Sequence, residues 1–364
     1  MPKRLKVKNS NTGSSRRRIL TAKSVSLDDV AQHCGVSTAT VSRVINNPEK
    51  VAAKSRIAVN ASIEALGYIP DGAARALASR HSRIIGAVVP TLDNALFAAG
   101  IQSLQRRLRQ HDYTLIVASH EYDLVEELNE VKMLLRQGVD ALLMVGSQHE
   151  PALLQLLEEK GVPYVNCWAW NSDASQPYIG FDNRKAARKI ADYLLDLGHV
   201  DLAVIAGRTA NNDRARDRVL GIRDAIEARN LTLATEKIIE RSYSVKQGRD
   251  AMRQLLQMDE LPTAVLCGND ILAMGAVAEC QSSGIKIPDE ISIAGFDDLD
   301  MSSQIMPALT TVYVPSAEMG ENAAEYLVAQ IRQQPLEPPA EIETKLMIRE
   351  TTAKPQSKLK TSRR

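Results

Sequence analysis

The sequence lacks the long apolar run that a membrane-spanning helix requires. None of its 364 residues falls in a stretch of about 18 or more consecutive apolar side chains. The basic N-terminus is followed by no apolar core and no small-residue cleavage site, so it does not match a secretory signal. These absences predict a cytoplasmic protein without a membrane partner.

Cysteine and histidine are scarce and scattered. The four cysteines, Cys34, Cys167, Cys267 and Cys280, form no C-x-x-C pair, and the six histidines form no H-E-x-x-H pattern. Widely separated cysteines are typical of reduced, buried thiols rather than of a disulfide framework or a zinc site. We expect neither a metal nor another cofactor.

Net charge is also nearly absent, because 45 basic and 44 acidic residues give +1. Residues 1–24 contain eight basic and no acidic residues, and residues 351–364 contain five and none. Residues 25–80 contain six basic and five acidic residues. This leaves 26 basic and 39 acidic residues in 81–350, which is a net charge of −13. The sequence therefore predicts two cationic tails, of which the first should be disordered and the second should fray, around an acidic body.

Three short helical segments follow the first tail and define a small domain over residues 25–70. Ser26 and Ser37 can cap the first two segments, and Gly35 suits the left-handed position that ends the first. The third segment runs from about residue 53 to residue 66.

The turn at Gly35-Val36-Ser37 predicts a helix-turn-helix that binds DNA. Residues at the start of its second helix would reach base edges in the major groove, and Arg43 could contact a guanine or a phosphate. Exposed helix starts can also hold phosphates through their backbone amides. The candidate DNA-binding residues are Ser26, Ser37, Thr38, Ala39, Thr40, Arg43 and Asn46. The alternative is a plain three-helix bundle in which Arg43 is a solvated charge.

The larger part of the chain, residues 83–350, alternates between two types of segment. Apolar runs of strand length, such as IIGAVVP, DALLMV and DLAVIAG, are separated by amphipathic helical segments. Alternating strands and helices imply parallel sheets covered by helices on both faces. At least eight such strands favour an α/β body with two lobes behind the helix-turn-helix.

Polar side chains follow several of these strands, where parallel sheets bind ligands. They are Asp93, Asp182, Asn269, Asp270 and Asp297, and three arginines, Arg214, Arg216 and Arg218, after DLAVIAG. Carboxylates and amides suit a hydroxyl-rich ligand, and arginine can bind a carboxylate or vicinal hydroxyls. The alternative for each single residue is a helix cap or a surface salt bridge.

The chain resembles the lactose/galactose-repressor (LacI/GalR) family of bacterial transcription regulators. SLDDVAQHCGVSTATVSRVINN, the LGYIPD boundary and the following RAL match its DNA-binding head and hinge. IIGAVVPTLDNALFA, CGNDILAMG, IPDEISIAGFDD and PALTTVYVP match its body in order. The resemblance implies a two-lobed α/β sensor body similar to periplasmic binding proteins. It also implies a transcriptional regulator, by default a repressor, that binds a near-palindromic double-stranded DNA operator as a homodimer and responds to a small-molecule effector.

The same resemblance makes residues 71–82 a hinge helix, in which Leu77 would be an apolar wedge in the minor groove. One departure is Ala52, where the family carries a serine or threonine cap for the third helix.

Seven effector-binding positions also follow from the resemblance. Arg218 matches the arginine that anchors the effector, with Arg214 beside it, and the others are Phe97, Trp168, Tyr243, Asn269 and Asp297. Trp168 stands where several sugar-binding members carry aspartate, and its alternative is a plain packing residue. GFDNRKAA and AECQSSGIKIPD resemble the gluconate-repressor branch, so the implied effector is a sugar or a sugar acid.

Two other functional classes compete with this interpretation. A solute-binding protein of transport shares the two-lobed body, but it would need a signal peptide and would lack the helix-turn-helix. A nucleotide-using enzyme is disfavoured because the sequence contains neither G-x-x-x-x-G-K-[ST] nor a strand-end G-x-G-x-x-G, and we predict no catalytic residue. The sequence decides neither whether the effector is an inducer or a co-repressor nor whether the protein is a dimer or a tetramer.

Overall fold

The computed structural model describes residues 25–70, 81–172 and 175–356, which fall into two units that divide after Arg80. We refer to the described part of the first unit as the head and of the second as the body. The predicted N-terminal tail, Leu77 with most of the predicted hinge, and residues 357–364 lie outside the described residues.

The head contains three helices: α1 (Leu27–Cys34), α2 (Thr38–Asn46) and α3 (Ala53–Leu66). Their starts and ends confirm the sequence prediction, with Gly35 in the left-handed conformation at φ 67°. The apolar positions of the three helices meet in one small core, formed by Val30, Ala31, Val41, Val44 and Val59. Ala52 provides no side-chain cap to α3, and the missing cap costs about 1 kcal/mol.

The first lobe of the body is a five-stranded parallel sheet in the order β2-β1-β3-β4-β5. Its elements are β1 (Ile84–Val89), α4 (Ala95–Gln110), β2 (Thr114–Ser119), α5 (Leu124–Arg136), β3 (Ala141–Val145), α6 (Pro151–Lys160), β4 (Tyr164–Cys167) and β5 (Tyr178–Ile179). All five residues of β3 are buried, as expected for a strand covered by helices on both faces.

The second lobe is a four-stranded parallel sheet in the order β7-β6-β8-β9. Its elements are α7 (Asn183–Asp196), β6 (Leu202–Gly207), α8 (Asp213–Glu227), β7 (Ile238–Arg241), α9 (Val245–Leu256), β8 (Ala264–Cys267), α10 (Asp270–Ser282) and β9 (Ser292–Ala294). The two lobes confirm the predicted α/β architecture.

The chain passes between the lobes three times. After β5 it enters α7 of the second lobe, and after β10 (Thr311–Tyr313) it returns to the first, where α11 (Ser316–Ile331) packs against α4. It then crosses back to β11 (Lys345–Met347), which pairs antiparallel with β10. The backbone amide of Ile342 donates to the carbonyl of Gly180, so the first and last passages lie side by side.

The predicted basic tail begins later than the sequence suggests. Thr351 is fully buried, its carbonyl accepts a hydrogen bond from the amide of Ile293 (2.8 Å), and its Oγ1 accepts from the amide of Thr310 (2.9 Å). The carbonyl of Ala353 lies 2.8 Å from Nε2 of the buried His199. Fraying from residue 350 is therefore wrong for residues 350–356, because backbone pairing beside β9 outweighs their polar composition.

Candidate functional site: a helix face in the head and a polar cavity in the body

The head exposes one face of α2. Val41 and Val44 are buried on its inner side, which leaves Ala39, Arg43 and Asn46, spaced four and three residues apart, exposed on the other. The structure therefore brings three of the predicted DNA-binding residues onto one solvent-facing surface.

The predicted hydroxyl residues mainly stabilise the helix starts. Ser26 Oγ accepts from the Asp29 amide (3.3 Å), and the Ser26 amide donates to Asp29 Oδ2 (2.8 Å), which together form a capping box. Ser26 Oγ also donates to Asp29 Oδ2 (2.7 Å). Ser37 Oγ accepts from the amide of Thr40 (3.2 Å), and the two hydroxyls lie 2.9 Å apart. Thr38 is half-buried. The groups at these positions that could bind an anion are the backbone amides at the start of each helix.

The body encloses a polar cavity between its lobes. It is lined by Asn94, Leu96, Phe97, Tyr122, Trp168, Asn212, Arg214, Arg218, Tyr243, Asn269 and Asp297. All seven predicted effector-binding positions are among them. The volume open to the centre of a water molecule is about 20 Å³, which is room for about one water and not for a sugar ring.

Arg218, on α8, is the most fully engaged cation of the cavity. Its Nε donates to Asn183 Oδ1 (2.9 Å), and its Nη1 donates to the carbonyl of Gly268 (2.6 Å). The same Nη1 lies 3.5 Å from Asp297 Oδ1, and the guanidinium carbon lies 3.8 Å from the centre of the Phe296 ring. The side chain is thus fixed by three elements and one aromatic face.

Two buried polar atoms of the cavity have no hydrogen-bond partner within the described residues: Asn269 Nδ2 and Asp297 Oδ2. Asn269 uses its other atom, Oδ1, to cap α10 by accepting from the amide of Leu272 (2.9 Å). Burial raises the pKa of Asp297 to about 8, although the neighbouring Arg218 acts in the opposite direction. Buried unpartnered groups are rare and costly, so this pair points to a polar ligand.

Trp168 both lines the cavity and packs against neighbouring side chains. Its ring is 1% exposed, packs edge-on against Phe97 with centroids 5.3 Å apart, and donates from Nε1 to Ser316 Oγ (3.2 Å). Its carbonyl accepts from Asn183 Nδ2 (2.9 Å), the same side chain that accepts from Arg218. The packing alternative for Trp168 therefore has direct support, even though the residue borders the cavity.

Arg214 lies at the edge of the cavity beside Asp213. Its Nη1 donates to Asp213 Oδ1 (2.8 Å) and, across the cleft, to the carbonyl of Val145 (3.1 Å). Burial acts to raise the pKa of Asp213, but Arg214 and hydrogen bonds from Ser147 outweigh it and hold that pKa below its usual value.

Four polar residues named from strand ends do not line the cavity. Asp93 is exposed, and Asp182 caps α7 by accepting from the amide of Lys185 (3.0 Å). Asp270 is buried and accepts from Thr311 and from two further donors, which is a structural role. Arg216 is exposed and donates to Gln148 across the cleft (3.1 Å). The helix-cap alternative is correct for Asp182, and Asp93 and Arg216 are surface residues. Asp270 fits neither alternative, because it is a fully buried anchor.

Sequence reasoning missed four cavity residues: Asn94, Leu96, Tyr122 and Asn212. Asn94 and Asn212 cap the helices that follow β1 and β6, and Asn212 Nδ2 also donates to the hydroxyl of Tyr243 (3.3 Å). Tyr122 follows β2 and faces Tyr243 with ring centroids 6.1 Å apart. Their common signal is a position just beyond the carboxyl end of a strand.

Within the described residues, no helix is long and apolar enough to cross a membrane. The same ranges contain no group of three or more His, Cys, Asp or Glu side chains that could hold a metal ion.

Comparisons with known proteins find a family match in the head and another in the body. Residues 26–71 match the family model for bacterial regulatory proteins of the lacI family, and residues 191–352 match a periplasmic binding protein-like domain. The HTH-type transcriptional repressor PurR of Yersinia enterocolitica is 34% identical over 333 residues, which covers 90% of this chain and 96% of PurR.

Two solved structures extend the comparison. The lac repressor dimer bound to operator and the anti-inducer ONPF is 28% identical, with a TM-score of 0.81 over 91% of this chain and 100% of that one. The regulator CelR in complex with cellobiose is 27% identical, with a TM-score of 0.66 over 90% of this chain and 99% of that one. The chain therefore belongs to the lacI family of bacterial regulatory proteins, and it is a DNA-binding transcriptional regulator.

Proposed function

We propose that this regulator is a repressor that binds a near-palindromic operator as a homodimer, and that a sugar or sugar acid in the interlobe cavity controls its operator affinity. The relatives described above are transcriptional regulators, which favours this function over a transport protein or an enzyme.

The exposed face of α2 supports the DNA-binding half of the proposal. Arg43 has the length and the fork of donors to reach a guanine edge, and Ala39 and Asn46 flank it on the same face. Ser26, Ser37, Thr38 and Thr40 would act through the two capped helix starts, by binding phosphates. The proposal includes residues 71–82 as the hinge, with Leu77 as a minor-groove wedge.

The observation that carries the effector half is the pair of buried, unpartnered atoms on Asn269 and Asp297 beside Arg218. A ligand hydroxyl group beside both atoms could form a hydrogen bond with Asp297 Oδ2 and accept one from Asn269 Nδ2, which would satisfy both. Phe97, Trp168 and Tyr243 border the same space and would face the apolar side of a sugar ring.

The charge of the cavity depends on Asp297 and bears on the choice between sugar and sugar acid. Arg214 is balanced by Asp213, and Arg218 is balanced by Asp297 only while that carboxyl is ionised. With a pKa of about 8, Asp297 is mostly protonated at neutral pH, so the cavity then carries a net positive charge. This supports a sugar acid, while the gluconate-repressor branch stays a prediction.

The test begins with DNA duplexes selected from a random pool by the full-length protein. Affinity for the selected duplex is then measured with D-glucose, cellobiose, D-gluconate and D-glucuronate present in turn. We expect at least one compound to change operator affinity by tenfold or more, which is about 1.4 kcal/mol, and Arg218→Ala to abolish that change. The exposed Arg216→Ala is the matched control. The proposal is wrong if no sugar or sugar acid changes affinity, or if Arg218→Ala responds as the parent protein does.

A further inference from the structure

Asn183, the first residue of α7, holds Arg218 from behind the cavity. Its Oδ1 accepts from Arg218 Nε (2.9 Å), and its Nδ2 donates to the carbonyl of Trp168 (2.9 Å). A guanidinium can only donate and a carbonyl can only accept, so these two neighbours fix which end of the amide faces Arg218. Asn183 is 3% exposed, and water therefore competes little for either hydrogen bond.

Close packing of α7 against α8 brings the two side chains together. Gly221 follows Arg218 by one turn on α8, and a Cβ at this position would lie 2.0 Å from the carbonyl oxygen of Arg184, the residue after Asn183. A larger residue would push α8 away from the start of α7 and carry Arg218 with it. The contact between Asn183 and Arg218 is therefore set by helix packing within the second lobe.

The partners that hold Arg218 are mostly uncharged. Asn183 supplies an amide oxygen, Gly268 supplies a carbonyl oxygen (2.6 Å), and Phe296 supplies the face of its ring (3.8 Å). A carboxylate, that of Asp297, lies 3.5 Å away, but burial raises its pKa to about 8, so it is mostly protonated at neutral pH. Uncharged partners fix a guanidinium in place without cancelling its charge.

Arg214, the other arginine that lines the cavity, is held in the opposite way. Its Nη1 donates to Asp213 Oδ1 at 2.8 Å, and both side chains are buried. Burial acts to raise the pKa of Asp213, but Arg214 and the hydrogen bonds from Ser147 lower it overall, so the pair is ionised and its charges cancel. An anionic ligand would therefore meet a compensated charge at Arg214 and an uncompensated one at Arg218.

We propose that Asn183 is a specificity-determining residue of the effector site: it fixes the guanidinium of Arg218 through a neutral amide and so leaves the positive charge for a carboxylate of the effector. The inference rests on the proposed function, and it narrows the ligand from sugars and sugar acids to sugar acids. Asn183 acts through Arg218 and needs no contact of its own with the ligand. An aspartate in its place would have nearly the same shape but would cancel the charge.

The test uses pairs of ligands that differ only in the carboxylate. D-Glucuronate is paired with D-glucose, and D-gluconate is paired with D-glucitol, so that in each pair a carboxylate replaces a CH₂OH group. Binding to the full-length protein is measured by isothermal titration calorimetry at neutral pH without DNA. We expect the parent to bind the acid of at least one pair tenfold or more tightly than its neutral partner.

Three variants separate charge from position. Asn183→Asp should remove most of the preference for the acid, because the new carboxylate pairs with Arg218. Asn183→Ala removes the amide without adding charge, so it should weaken binding of both members of a pair by a similar factor. Asn322→Asp adds the same charge at an exposed position of α11 and is the matched control, with the preference of the parent. Far-UV circular dichroism checks that each variant is folded.

Crystal structures of the two Asn183 variants without ligand give a measurement that needs no effector. In Asn183→Asp the guanidinium of Arg218 should stay in its place, and in Asn183→Ala it should shift. If the parent binds none of the four compounds, the proposed function fails, and these structures still decide whether Asn183 positions Arg218.

Three results would overturn the inference: a parent that prefers the neutral partners, an Asn183→Asp variant that keeps the preference for the acid, or an Arg218 that does not move in Asn183→Ala. If Asn183→Asp does not fold, Asn183→Ala still decides the question. A changed ratio of acid to neutral affinity in Asn183→Ala contradicts a role through an uncharged contact, and an unchanged ratio supports it.

Discussion

Arg43 on α2 is exposed to solvent. Arg218 on α8 is only 6% exposed, and its guanidinium donates hydrogen bonds to Asn183, Gly268 and Asp297. The two residues represent two ways of using the same side chain. An exposed guanidinium is ready for a partner but is screened by water and salt. A buried one is held in place beforehand, and removing it leaves unpaired groups behind. Substitutions in the cavity should therefore affect stability as well as binding, and substitutions on the helix face should affect binding alone.

Arg218→Ala should give the largest effect. It leaves Asn183 Oδ1 and the Gly268 carbonyl without their donor, and each buried acceptor left unsatisfied typically costs about 1–3 kcal/mol. Urea unfolding of the full-length protein measures the loss. The control is Arg216→Ala, whose exposed side chain should contribute far less. Equal losses of unfolding free energy in the two variants would contradict the difference between the buried and the exposed arginine.

Asp297 should make stability depend on pH in an unusual direction. Its pKa is about 8 in the folded protein against about 3.9 for an ordinary aspartate, so the folded state binds the proton more tightly. Stability contributed by this group is then present at low pH and is lost as pH rises from about 4 to about 8. Unfolding free energies across that range should decline less steeply in Asp297→Asn. An unchanged slope would show that Asp297 ionises normally.

Arg43→Ala should weaken binding to the selected duplex by about 1–3 kcal/mol, because it would lose a base contact. Titration against both the selected duplex and random DNA separates two roles. A loss on the selected duplex alone indicates base reading, while equal losses indicate a phosphate contact. The unfolding free energy should not change, in contrast to Arg218→Ala, and a large destabilisation would contradict the comparison.

Ala52→Ser should give the smallest effect, and it is the only one of these substitutions that should raise stability. A hydroxyl at this position can accept from a free amide in the first turn of α3, which is worth about 1 kcal/mol. Thermal unfolding of the full-length protein measures it, with Ala52→Val as the control, because valine has no side-chain acceptor and is as poor an N-cap as alanine. No difference between the two variants would show that the helix start gains nothing from a side-chain cap.

The sequence predicts the head more completely than the cavity. Caps, glycine turns and helical periodicity are local, so Ser26, Gly35 and Ser37 indicate the helix ends directly. The cavity joins residues far apart in the chain, such as Phe97 and Asp297, and here the family resemblance supplied the positions. Strand-end position alone also selects Asp182 and Asp270, because the same geometry that presents a ligand group also presents a helix cap or a buried anchor.

The contact between Asp213 and Ser147, which lie in different lobes, could not be predicted from sequence. Asp213 precedes an arginine in a charged segment, and nothing local indicates that its carboxylate reaches Ser147 in the other lobe. Gly146 resembles an ordinary turn glycine until the distance to Arg214 is known. Close approach across two separately folded lobes is a property of their packing, and it has no periodic signature.

The ordering of residues 350–356 has a practical consequence for the solubility of shortened forms of this protein. β9 is the last strand of its sheet, and the carbonyl of Thr351 occupies the amide of Ile293 on that strand. Thr310 pairs with the end of the same edge, so cutting the chain after Arg349 would free the amide of Ile293 in particular. Unpaired amides on an edge strand are where strands of other molecules can pair. A chain that ends beyond residue 356 keeps the edge covered, so the few residues after β11 act as a guard against aggregation.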